Sequence, residues 1–227
     1  MGQDNQPKHR QQSRDLKRRT AQRAPYARLL IVCEGKKTEP HYFKEICHEY
    51  RLATANVQVW PGALGTQPLQ VVEYAEYLFR EGDNQKNILP GAFDQVCAVF
   101  DRDDHPTYHQ ALAKAAALNG KFENDLGERV TFHAIASVPC FELWLLLHFE
   151  EIFAPIHRAE VYARLRQEGY LPGYDKGQGG YWAATKARLD QAMSRAQDRA
   201  ALTTAYDGTE PYTGIHQLVS WLTHLKD

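Results

Sequence analysis

Carboxylates placed directly after apolar runs are the residues of this chain best suited to chemistry. Glu34 closes the run Arg28-Leu29-Leu30-Ile31-Val32-Cys33 and is followed at once by Gly35. Asp101, Asp103 and Asp104 come at the end of a second run, Asp94–Phe100. In an extended chain, aspartates two apart project the same way. Several carboxylates drawn together repel strongly unless a cation joins them. Mg²⁺ (or Mn²⁺) suits that role, because it takes hard oxygen ligands and keeps several waters. Acidic residues also follow strands simply because loops are solvated, so a lone Asp-x-Asp says little. The pairing of strand-Glu-Gly with a later strand-Asp-x-Asp is more specific.

Other side chains qualify as helpers. Glu142 falls in the first turn of an apolar helix, among Leu145 and Leu146. There it either pairs with a base, helps a metal, or answers the positive helix N-terminus. Lys36 and Lys37 follow the Glu34 turn, and Lys36 is a candidate to neutralise a phosphate oxygen. Arg102 is expected to point away from its flanking aspartates, toward the substrate backbone. Lys176, in a glycine-rich loop, is a candidate to close over substrate. His105 and His109 have weak metal-ligand spacing, and His148, 240° around the helix from Glu142, reads as structural.

These residues need a frame, and the hydrophobic pattern supplies one. Strands are expected at 28–33, 56–60, 94–100 and 130–136, separated by helices at 39–52 (capped by Thr38), 68–82 and 108–118. Pro139 is expected to start a helix through Phe149. Alternating strands and helices imply a parallel α/β sheet, whose ligands bind outside the carboxyl ends of the strands. Glu34 and the Asp101 cluster then share one edge. After Ile156 no strand is expected, only helices at 157–168, 182–202 and 214–225, with a mobile loop at 172–180. The divisions are therefore a basic arm (1–27), an α/β core (28–155) and a helical C-terminal part packed on it (156–227).

The 227 residues carry a net charge of −1, unevenly spread. Residues 1–28 hold eight Lys or Arg against Asp4 and Asp15, a charge of +6 that leaves −7 for residues 29–227. Such an arm either binds polyanions or only solubilises the chain. No segment reaches the roughly 20 apolar residues of a membrane span, and the polar N-terminus does not read as a secretory signal. A cytoplasmic setting is expected. Cys33, Cys47, Cys97 and Cys140 have no CxxC spacing and read as reduced thiols.

Val32-Cys33-Glu34-Gly35 together with Phe100-Asp101-Arg102-Asp103 resembles the Toprim pattern of topoisomerases, primases and related nucleases. Longer stretches are similar to the RloB family of bacterial defence proteins: Leu30 through Phe43, Val99 through His105, and Ser137 through Phe149. Pro211-Tyr212-Thr213-x-x-His216-x-Leu218-Val219 resembles that family's C-terminal signature, with Val138 and Glu210 standing where the family carries Asn. The resemblance implies a Toprim-like (Rossmannoid) nuclease subunit. It implies Asp101 and Asp103 as Mg²⁺ ligands, assisted by Asp104 or Glu142, with Glu34 as proton acceptor or second-ion ligand. It also implies a tRNA or DNA substrate and a nearby-encoded ABC or SMC-like ATPase as partner, and the chain is a candidate homo-oligomer. A non-catalytic subunit that binds nucleic acid or the ATPase is the main rival. The phosphate-binding P-loop does not fit, since Leu30 stands where its first glycine is required. A haloacid-dehalogenase phosphatase fits poorly, since its Asp-x-Asp belongs to the first strand.

Overall fold

The computed structural model describes residues 26–65, 67–207 and 211–227. Of the basic arm expected at 1–27, residues 1–25 lie outside the described residues, while Tyr26 and Ala27 pack against the core. β1 (Leu29–Cys33) is buried at every position. It pairs in parallel with β2 (Val57–Pro61) on one side and β3 (Gln95–Asp101) on the other. β4 (Thr131–Val138) continues the parallel sheet beyond β3. The order is β2-β1-β3-β4-β5.

The strand sequences are nearly unbroken apolar runs because helices cover both faces. Leu29, Ile31, Cys33, Cys97, Val99 and Ile135 point to one face. Helices α1 (Thr38–Glu49) and α4 (Glu142–Leu147) pack there. Leu30, Val32, Val96, Ala98 and Phe100 point to the other, under α2 (Pro68–Glu81) and α3 (Tyr108–Leu118). Helices α5 (Arg158–Leu165), α6 (Tyr181–Thr185), α7 (Leu189–Leu202) and α8 (Ile215–Thr223) add to the first face, where Val161, Trp182, Ala192 and Leu218 join the same core. Arg195 of α7 donates to the Leu147 carbonyl at 2.7 Å and so satisfies an end of α4.

The α/β sheet is as expected, with corrections in detail. A strand does follow residue 156: β5 (Tyr212–Thr213) runs antiparallel to β4, pairing Thr213 with Ser137. β3 extends one residue further than expected, so Asp101 is its last residue rather than a loop residue. Pro139 does not start a helix; it follows a cis peptide bond with Val138, and α4 begins only at Glu142. The helix expected at 182–202 is divided by a 3₁₀ turn at Lys186–Arg188. Thr38 does not cap α1. Its hydroxyl accepts from the Gly177 N–H at 2.9 Å, which docks the glycine-rich loop onto the start of that helix.

Candidate active site

The carboxyl ends of β1, β3 and β4 meet at one rim because the three strands are parallel and in register. The Glu34 N–H donates to the Val99 carbonyl, and its Oε2 accepts from the Asp101 N–H at 3.0 Å. Its other oxygen lies 3.2 Å from His105 Nε2. After Asp101 the chain does not stay extended. Asp103 has φ +35, a conformation that costs a side-chain-bearing residue. The turn is held by Arg102 N–H to Ser137 O (2.8 Å) and Asp103 N–H to Pro139 O (3.0 Å). Asp103 then pairs with Arg158, the first residue of α5, at 2.8 Å.

Glu142 reaches the same rim from the first turn of α4 and is buried. Tyr174 donates its hydroxyl to Glu142 Oε1, and Lys176 Nζ stands 4.0 Å from the same oxygen. Tyr174 and Lys176 belong to the loop expected at 172–180, which is thus tied to the rim as well as to Thr38. Glu39, in the first turn of α1, is also buried. It folds back over Gly35, where an added Cβ would fall 1.9 Å from Glu39 Oε2.

Crowding of these acids in a poorly solvated place sets their proton affinities. Burial, with Glu39, Glu142, Glu34 and Asp103 as further contributors, pushes Asp101 well above the ordinary carboxylate range. Burial pushes Glu34 up to about 7, against the Asp101 N–H and with Glu39 and Asp103 adding. Glu39 rises to about 6, from burial and then from Glu142, while the N–H groups of Glu39 and Gly35 and the charge of Lys176 oppose the rise. Burial works against the Lys176 charge, but Glu142 and Tyr162 overcome it and hold its pKa above the ordinary lysine value.

The donor set is hard oxygen throughout. Glu39 Oε2, Asp103 Oδ1 and Glu142 Oε2 are buried without a hydrogen-bond partner, a costly condition that a bound cation relieves. In chemistry the residues therefore fit Mg²⁺. They are not closed on a common point. Among the described residues, no group of three or more His, Cys, Asp or Glu stands in an arrangement that could hold an ion. Glu34 is turned to the Asp101 N–H and His105, and Asp103 to Arg158. A family model for RloB-like proteins matches residues 29–222, which takes in all five strands and every rim residue named above.

The chain belongs to the RloB-like family. No curated protein and no solved structure matches it. In this RloB-like chain Glu34, Asp101, Asp103 and Glu142 come together as expected from the order of strands. Asp104 and Lys36 do not join them. Both are exposed, because the Asp103 turn directs Asp104 outward and Lys36 sits on the open side of the β1–α1 turn. The cation over the rim is Lys176 instead. Arg102 does point away from the aspartates, with its guanidinium 5.9 Å from the Tyr108 ring centroid. His109 stacks on Tyr206 and does not join His105. His148 is buried on Trp144, bonded to that residue's carbonyl at 3.0 Å, and burial lowers its pKa to about 4. All four cysteines are free.

Sequence reasoning does not reach Glu39, Tyr174 and Arg158. For Glu39 a signal exists: an acid in the first turn of a helix that leaves the Glu34-Gly35 turn must face the same rim. For Tyr174 and Arg158, far along the chain, there is none. No helix among the described residues is long and apolar enough to cross a membrane.

Proposed function

We propose that the chain is a Mg²⁺- or Mn²⁺-dependent nuclease of Toprim type, cleaving phosphodiester bonds in tRNA or DNA as the effector of an anti-phage defence system. The observation that carries this reading is the meeting of Glu34 with the Asp101 backbone at a rim where Glu39, Asp103 and Glu142 leave buried oxygens without partners. A stable protein avoids such crowding unless it is used.

Asp101, Asp103 and Glu142 are the residues that would hold the metal, with Glu39 placed beside them. When bound, the metal would neutralise charge on the phosphoryl group. Glu34, with a pKa near 7, is suited to accept a proton from the attacking hydroxyl or water at neutral pH. Lys176 and His105 stand where they can offer charge or hydrogen bonds to a phosphate. The partner ATPase of ABC or SMC-like kind rests on the family resemblance alone, and the cytoplasmic setting on the sequence pattern.

A second reading is a non-catalytic subunit that binds nucleic acid or the ATPase. It is favoured by Arg158, which occupies Asp103 Oδ2, and by the lack of a converged ligand group among the described residues. One experiment separates them. The full chain, with and without the ATPase encoded beside it, is incubated with total tRNA and plasmid DNA plus Mg²⁺ or Mn²⁺. Cleavage that disappears in folded Asp101→Asn and Glu34→Gln supports the nuclease, and full activity in folded Asp101→Asn ends that reading.

A further inference from the structure

Among the described residues β2 is an edge of the sheet, and a groove of about 880 Å³ runs along it. Its basic lining residues are Lys44, His48, Arg51 and Lys86, and no described Asp or Glu lines it. That is unexpected on a body whose residues 29–227 sum to −7. Trp60, near the end of β2, is half-buried at one end of the groove. Its indole N–H is already committed to Gln58 Oε1 at 2.9 Å, so the ring is held in place rather than seeking a polar partner. Two ammonium groups converge on it: Lys44 Nζ lies 5.8 Å and Lys86 Nζ 5.6 Å from the ring centroid. Lys86 also pairs with Asp83, which flanks the groove.

Arg51 adds a second kind of evidence. It follows the end of α1 at φ +51, the left-handed conformation that favours glycine or asparagine after a helix. Its long cationic side chain lines the groove. Trp60 pairs with Val32, two residues before Glu34, so the groove begins beside the carboxylate rim and leads away along the sheet edge. At about 3.3 Å per residue β2 spans about 13 Å, which is longer than one stacked base.

We infer that this edge groove binds a single-stranded polynucleotide, with one base stacked on Trp60 and the adjoining phosphates on Lys44, Arg51 and Lys86. Stacking on aromatic side chains inside a cationic groove is how strands are held without regard to sequence. A base on the indole displaces one ammonium toward its own phosphate, so the ring and its lysines serve one ligand. The alternative of a second copy pairing β2 to β2 sets the same lysines and arginine against themselves. The inference deepens the proposed nuclease reading by saying where its substrate lies, but binding here does not require cleavage.

The test is therefore made without divalent cation, in EDTA, using the full chain and a fluorescein-labelled oligothymidylate of about 12 nucleotides. Binding is read by anisotropy and by quenching of tryptophan emission, and folding is checked by circular dichroism. Trp60→Ala is expected to weaken binding roughly tenfold, the scale of one stacked base. Trp60→Phe should keep most of the affinity and lose the quenching. Lys44→Gln with Arg51→Gln should flatten the slope of log affinity against log salt by up to about 1.4. Folded variants that bind and quench as the wild type does would overturn the proposal, as would equal preference for a duplex of the same length. So would a dimer, seen by sedimentation, that Trp60→Ala dissolves. Strand binding here, with no cleavage of total tRNA or plasmid DNA in Mg²⁺ in the presence of the ATPase, would leave the groove standing and remove the nuclease. Cleavage that survives unchanged in Trp60→Ala would do the reverse.

Discussion

Glu34, just after β1, takes the main-chain N–H of Asp101, the last residue of β3, into its carboxylate at 3.0 Å. The acid thereby bridges two parallel strands at their carboxyl ends and fixes the spacing of the rim. It also carries a cost. Burial raises its pKa from an ordinary 4.5 to about 7, so the folded state keeps a proton that the unfolded chain releases within that interval. Stability from this group is full below about 4.5 and is lost as pH rises through 7.

Replacing Glu34 by Gln removes that loss and keeps an oxygen for the Asp101 N–H. In metal-free buffer at pH 8, Glu34→Gln should melt above the wild type, with a gain of up to about 3 kcal/mol. The difference should fade as pH approaches 4. Thermal melts across pH 4 to 8 check it, and the wild-type-minus-variant comparison cancels the opposite trend from His148, which unfolding frees to charge as pH falls.

Divalent cation should stabilise the wild type. At a concentration about 100 times its dissociation constant the gain is roughly 3 kcal/mol. Asp101→Asn should lose most of this response while remaining folded. Melting temperature against Mg²⁺ or Mn²⁺ concentration measures both, and an indifferent wild type would favour the non-catalytic reading.

Arg158 holds the Asp103 oxygen that the proposed metal would need. The arginine side of the pair is 44% exposed to solvent, so its own worth is small, about 0–1 kcal/mol. Arg158→Gln is therefore expected to leave stability nearly unchanged and to tighten metal binding by a few fold. Titration calorimetry with Mn²⁺ reads this, and weaker binding would show that Arg158 is not a competitor.

Tyr174 gives Glu142 its hydroxyl in a buried setting. Tyr174→Phe leaves the carboxylate with Lys176 at 4.0 Å as its nearest ionic partner. A loss of about 1–3 kcal/mol is expected in urea denaturation, with part of it regained when divalent cation is present.

Removal of residues 1–25 should weaken polynucleotide binding and lower its salt dependence, since seven Lys or Arg fall within that stretch. An unchanged salt slope in filter binding would make the arm a bystander.

Much of the rim is legible in the sequence because it depends on strand direction. Once Leu29–Cys33 and Gln95–Asp101 are parallel, Glu34 and Asp101 must share an edge. The path of the chain beyond Asp101 is not legible, because the left-handed turn at Asp103, and not the two-residue alternation of a strand, decides where Asp103 and Asp104 point. The same turn leaves Asp104 in solvent. Sequence favours Lys36 over Lys176 because nearness along the chain is visible, while the docking of Gly177 on Thr38 is not. β5 escapes for a simple reason: two residues carry no periodicity.

Gly35 is usually explained by the freedom it gives a tight turn, yet in this chain the Glu39 carboxylate occupies the volume that any larger residue would claim. Positions 35 and 39 behave as a single steric unit. Even Gly35→Ala forces the end of the buried Glu39 side chain to shift. The small residue after Glu34 thus holds open the place of a buried acid beside the rim.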